Sequence, residues 1–146
     1  MQLYESEMTY RSDDGTLPKN GALELYQRLF REAGAVVGLK DVCQDLEGHL
    51  LNAGFVDVKV VVKKVPTSPW PKDPKKKEIG RWFLEFGKDG FRSYGTNLFT
   101  KVLGKSTDEA TEICDAGFAE LIQRGAHGYL SQYVLGVSAG SPMDVR

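Results

Sequence analysis

Side chains that trade protons, attack carbonyls or bind metals are few in this sequence. It has two histidines, His49 and His127, and two cysteines, Cys43 and Cys114, with no CxxC and no Cys/His cluster. That inventory supports neither a zinc site nor a Ser/His/Asp triad, since no third partner stands beside either histidine. His49 falls on the polar side of a helical stripe and carries no chemical reading. His127 stands two residues before Tyr129 at the start of an apolar, β-rich run. The two share one strand face and together can line a cleft; the competing reading is a histidine hydrogen-bonded at a strand end. Aromatic residues crowd the middle of the chain: Trp70, Trp82, Phe83, Phe86, Phe91, Tyr94 and Phe99. Trp70, Tyr94 and Tyr129 are the candidate substrate-binding side chains, for a planar or apolar small molecule. Helical spacing equally suits these aromatics to packing.

Bulk composition bounds what such residues can serve. The 146 residues fit one domain, 1–146, with 41% hydrophobic and 27% charged residues, an ordinary globular balance. A net charge of −1 supplies no field toward nucleic acid or an anionic membrane. The run Lys72, Lys75, Lys76, Lys77 is broken by Asp73 and followed by Glu78, which fits a solvated first helical turn better than a phosphate contact. The N-terminus resembles neither a signal nor a transit peptide, and no apolar run approaches the ~20 residues of a membrane span. The chain reads as soluble and intracellular, cytoplasmic or nuclear, and both cysteines fall on apolar helix faces as buried thiols.

The elements that must position these residues follow from periodicity. Gln2–Met8 suits a short strand and is followed by turn formers from Ser12 to Pro18. Asn20 is placed to cap a helix over 21–37, and a second stripe over 39–53 ends at Gly54. Phe55–Val62 is rich in β-branched residues, and Lys63 and Lys64 close it as a charge-guarded edge strand. From about 66 to 125 the period is helical. Asp73–Pro74 opens one helix and Asp89 a second that ends at Gly104. Ser106 and Glu109 form a capping box for a third, stopped at Gly125. A last strand, His127–Ser138, is apolar on both faces and therefore central; residues 140–146 form a frayed tail. The fold expected is α/β, about three strands in a small mixed sheet with a helical insert.

Four strings, "RSDDGTLP", "NAGFVDV", "WPKDPKKKEIGRW" and "HGYLSQYVLG", occur in the order and spacing of a known family. Across roughly residues 2–138 the chain resembles the C-terminal half of fungal class I S-adenosylmethionine (SAM) methyltransferases related to the global regulator of secondary metabolism. The resemblance implies a partial Rossmann-like fold in which the last strand lies antiparallel between the other two, with the helical insert covering the substrate cleft. It implies that Glu5, at the end of the first strand, stands near the site of methyl transfer, although a solvated strand-end carboxylate is the competing reading. His127 matches the histidine of the family's H-x-Y string.

One departure accompanies the match. The family's donor half carries a glycine-rich loop whose amides approach SAM, and an acidic residue for the ribose hydroxyls. The 16 glycines here include no G-x-G. No cofactor is therefore expected in this chain, and alone it should be silent toward SAM. A first strand without its usual neighbour would expose an edge and the apolar Leu3, Tyr4 and Met8, which points to a homodimer or a complex with a related methyltransferase. Two further functions stay open: a cofactor-independent isomerase or cyclase of natural-product biosynthesis, and a non-enzymatic partner of a methyltransferase.

Overall fold

The computed structural model describes residues 1–139; the tail expected to fray lies outside them. Strand β1 (Gln2–Arg11), helix α1 (Ala22–Val36), a 3-10 turn (Cys43–Asp45), α2 (Leu46–Asn52), β2 (Phe55–Pro66), α3 (Pro74–Lys101), α4 (Thr107–Leu121) and β3 (Tyr129–Ala139) follow in that order. The sheet runs β1-β3-β2, the order that the resemblance implied. Both ladders are antiparallel, so β1 and β2 point the same way on either side of β3. Leu135 and Val134, on opposite faces of β3, are both buried, as a central strand requires. Lys59, Lys63 and Lys64 line the exposed β2 edge, whereas β1 leaves Leu3, Tyr4 and Met8 in solvent.

The main core lies among the helices. Leu23, Tyr26, Leu29 and Phe30 of α1 meet Phe91 and Phe99 of α3 and Cys114, Phe118 and Leu121 of α4. Tyr10 ties the sheet to this core, its ring stacked 5.3 Å from Phe91 and edge-on to Phe83 at 6.0 Å. Burial pushes the Tyr10 hydroxyl up to about 12, so it stays neutral there. Cys43 and Cys114 are both buried free thiols. Burial first, and Asp41 beside it, push Cys43 up to about 11, and burial also raises Cys114.

Several boundaries differ from the sequence expectation, each for a local reason. The stretch 74–101 is one helix, not two. The break expected at Asp89 does not occur, and glycines let the single helix α3 approach α4: a Cβ on Gly87 would stand 2.7 Å from Phe118, and one on Gly95 2.5 Å from Cys114. The helix over 39–53 shrinks to Leu46–Asn52, because the Asp41 carboxylate takes the Cys43 amide at 3.1 Å and holds a turn where a helix would begin. Asn20 does not cap α1. It sits at φ 57°, Gly21 is the N-cap, and Glu120 of α4 receives the Leu23 amide at 2.8 Å. Asp73 and Ser106 cap α3 and α4 as expected, but the Glu109 carboxylate takes the Lys105 ammonium at 2.6 Å rather than the Ser106 amide. Strand β1 runs on to Arg11, past a register shift between Ser6 and Tyr10, and β2 to Pro66, because both keep pairing with β3 as far as Tyr129. Strand β3 begins at Tyr129, leaving His127 in the preceding loop.

Candidate functional site

Three loops meet where β1 and β2 end and β3 begins. Arg11, Tyr129 and Pro66 lie side by side in the ladders. This brings the turn 12–16, the segment 67–70 and the approach 126–128 together at the carboxyl edge of the two parallel-pointing strands. In open α/β sheets that edge is where ligands bind.

The turn supplies the anchor. The Ser12 hydroxyl donates to Asp14 Oδ1 at 2.6 Å and the Thr16 hydroxyl donates to the same oxygen at 2.8 Å, an arrangement that small polar residues around Gly15 (φ 71°) allow. The other carboxylate oxygen of Asp14 lies 2.5 Å from Nδ1 of His127. The His127 amide donates to the Thr16 hydroxyl at 2.8 Å, so main chain and ring are both tied to the turn. Hydrogen bonds from Ser12, His127 and Thr16, in that order, hold the Asp14 carboxyl well below the usual carboxylate range.

Trp70 forms the adjoining wall. Its indole N–H donates to the Gly128 carbonyl at 2.9 Å, and that carbonyl also accepts the Thr67 amide at 3.0 Å. The indole and imidazole centroids stand 5.0 Å apart, with the rings tilted by 34°. Glycine at position 128 leaves room for its neighbours: a Cβ there would meet Thr67 Oγ1 at 2.7 Å and the Leu121 side chain at 2.8 Å, and both would have to shift.

Asp13 faces the other way. It accepts the Tyr129 hydroxyl at 2.7 Å and pairs with the Lys64 ammonium, which also lies 4.6 Å from the centre of the Tyr129 ring. The bond from Lys64, then that from Tyr129, lowers the Asp13 carboxyl, and Asp13 in turn raises Lys64. The Tyr129 hydroxyl is raised, first by burial and then by its bond to Asp13.

The structure therefore gathers three of the five residues singled out from sequence, His127, Trp70 and Tyr129, and leaves two elsewhere. Glu5 is not at the end of β1 but in its middle, paired with Tyr133 and exposed, with Oε1 accepting the Ser6 amide. Tyr133 is four residues along β3 from Tyr129, roughly 13 Å at the usual strand rise. Tyr94 is 66% exposed on α3, while Phe91 and Gly95 beside it turn into the helical core. Among the described residues Glu5 and His127 are thus separated along the sheet rather than side by side. Asp13, Asp14 and Lys64 escaped the sequence reading. The only available signal was the "SDDGT" turn directly after one strand and "HGY" directly before the neighbouring one. Among the described residues no group of three or more His, Cys, Asp or Glu could hold a metal ion, and no helix is long and apolar enough to cross a membrane.

No protein-family model matches the sequence, and no solved structure matches it. Curated proteins do. The chain is 35% identical over 136 residues to probable methyltransferase tdiE of Emericella nidulans, covering 92% of this chain and 43% of that protein. It is 27% identical to methyltransferase pytC of Aspergillus terreus, with 92% and 42% covered. Against the secondary metabolism regulator LAE1 of Cochliobolus heterostrophus it is 35% identical, with 86% and 41% covered. The chain thus spans about two fifths of the length of the relatives it matches. Over nearly all of its own length, this α/β chain is a homologue of fungal methyltransferases and of LaeA-like regulators of secondary metabolism.

Proposed function

We propose that the chain forms the acceptor-side wall of a methyl-transfer fold, the part that receives the substrate. The observation that carries this reading is the convergence of Trp70, Asp14 and His127 at the carboxyl edge of a β1-β3-β2 sheet, in a chain homologous to methyltransferases.

The residues present do not fit SAM. No G-x-G occurs in the sequence, and the acidic pair at the sheet edge is already engaged: Asp13 with Lys64 and Tyr129, Asp14 with Ser12, Thr16 and His127. Both carboxylates are thus oriented by this chain's own groups rather than set out to hold ribose hydroxyls. Alone, the chain is silent toward the methyl donor; what it contributes is placement of an acceptor and a site for its proton. Calorimetric titration of the purified chain with SAM tests this. No heat of binding is expected, and saturable binding overturns the reading.

A partner follows from the same reading. The lysine-bearing β2 edge is guarded against pairing, and the β1 edge, with Leu3, Tyr4 and Met8 exposed, is not. A second copy or a related methyltransferase adds a strand there. Light scattering at micromolar concentration should give a mass above 16.2 kDa, or do so once the related enzyme is added. A persistent monomer in both cases removes the partner from the proposal. An intracellular setting, cytoplasmic or nuclear, suits the two buried free thiols.

A further inference from the structure

We infer that Asp14 is a positioning residue for His127, and that the pair with Trp70 forms a proton-accepting subsite for a neutral, planar aromatic compound bearing an acidic O–H, the phenol class. The inference rests on the acceptor-side reading and names the chemistry of what that side receives.

The argument begins with the carboxylate. Hydrogen-bonded as it is, Asp14 is ionised and can only accept. Its contact at 2.5 Å with Nδ1 therefore places a proton on Nδ1, and in the neutral imidazole the lone pair is then on Nε2. The His127 amide bond to Thr16 fixes the backbone under the ring, so the imidazole is held at both ends of the residue. Nε2 has no hydrogen-bond partner among the described residues, and the side chain is 41% exposed. A base with one nitrogen clamped and the other free faces solvent beside an aromatic wall.

The wall selects the ligand. Trp70 is held by its indole N–H on Gly128 and remains 40% exposed, a fixed flat surface that costs little entropy to stack upon. Charge excludes the alternatives. The two cations at the strand ends, Lys64 and Arg11, are each already paired, with Asp13 and Glu7, and two carboxylates stand within the turn itself. A carboxylate or phosphate ligand would face the Asp13 and Asp14 charges across the turn, whereas a neutral aromatic meets no charge that repels it. In the step itself the phenol O–H proton moves to Nε2, the O–H electron pair stays on oxygen, and a phenolate–imidazolium pair results, with Asp14 balancing the imidazolium. Nothing else is formed or broken.

The test uses the purified chain, 4-nitrophenol as probe and nitrogen-15 spectra of the imidazoles. The wild-type chain should bind 4-nitrophenol, raise its phenolate absorbance at fixed pH, and show neutral His127 as the Nδ1–H tautomer. Asp14→Ala should let the Nε2–H tautomer appear and weaken binding about tenfold, as the loss of one charge-assisted hydrogen bond implies. Trp70→Leu should weaken binding while leaving the tautomer unchanged, which separates the wall from the clamp. A merely structural Asp14 would lower the melting temperature without moving the tautomer. If wild-type chain ignores 4-nitrophenol at millimolar concentration, or Asp14→Ala retains both tautomer and affinity, the inference fails. Failure here leaves the SAM titration untouched, and a positive SAM titration leaves this result untouched.

Discussion

Gly80 of α3 rests on the backbone carbonyl of Ser68. A methyl group at position 80 would overlap that oxygen and come within 2.8 Å of the Pro69 nitrogen. The Ser68 carbonyl also accepts the Trp70 amide at 2.8 Å, so the glycine that seats the helix touches the turn that aims the indole. Main-chain atoms cannot swing aside as a side chain can, and the contact fixes how close α3 lies to the sheet edge.

Gly80→Ala should therefore cost about 1–3 kcal/mol, the range for forced overpacking, and should change the emission of Trp70 as the 67–70 segment is displaced. Gly90 provides the control. A Cβ there meets nothing within 4 Å, and Gly90→Ala in a helix interior should stabilise by about 0.5–1 kcal/mol. Thermal melts of the two variants decide it; a Gly80→Ala chain that melts at or above the wild-type temperature contradicts the close contact.

The aromatic residues of α3 divide into two groups that mutation should separate. Phe99 is fully buried, edge-on to Tyr26 at 5.6 Å, and Phe99→Ala should lose about 3–5 kcal/mol. Phe86 is 59% exposed and stacks on Trp82 at 5.7 Å, so Phe86→Ala should stay within about 0.5 kcal/mol. Urea unfolding of both measures the difference. Equal losses would mean that the exposed stripe is covered in solution.

Helix α1 borrows its cap from α4. Glu120 lies against Gly21 and takes the Leu23 amide at 2.8 Å, satisfying an amide that no residue of α1 reaches. Glu120→Ala should cost about 1 kcal/mol, as the loss of an N-cap does, while Asn20→Gly, which keeps the left-handed backbone, should change stability little. The reverse ranking in denaturant would return the cap to Asn20.

The strand order was legible because it is written in charge: lysines stand along one edge strand, and β3 is apolar on both faces. Helix α3 was misread because Gly87, Asp89 and Gly90 carry the residue types of a helix break. What makes Gly87 useful, its closeness to Phe118, exists only once α4 has folded back. The same limit hid Asp14. It meets His127 across 113 positions of chain, and a turn-forming aspartate looks alike whether or not a histidine waits beside it. Only the β1-β3-β2 order puts the end of β1 against the start of β3. Glu5 was misplaced for a simpler reason: it stands in mid-strand whether the strand ends at Met8, as expected, or at Arg11, as found, so the strand-end position implied by the resemblance conflicted with the strand's own bounds.

Acid should weaken the chain through its aspartates. Hydrogen bonds hold Asp14 and Asp13 below the ordinary carboxylate range, and the Arg92 pair, with bonds of 2.5 and 2.6 Å, does the same for Asp115. A carboxyl depressed in the folded state is more readily protonated in the unfolded one. Below about pH 4, the ordinary value for Asp, the unfolded chain therefore binds more protons and stability falls as pH falls. Above about pH 5 these groups are ionised in both states and contribute no slope. Melting temperature should thus be insensitive to them from pH 7 to 5 and decline toward pH 3. Mutual repulsion among the 19 lysines and arginines also grows in acid, but it acts on any variant of the chain. The comparison that isolates the turn is Asp13→Asn with Asp14→Asn, which should start from a lower melting temperature at pH 7 and lose less of it by pH 3. An acid slope identical to wild type would show that the two carboxylates titrate normally, and that the bonds around the turn leave their ionisation unchanged.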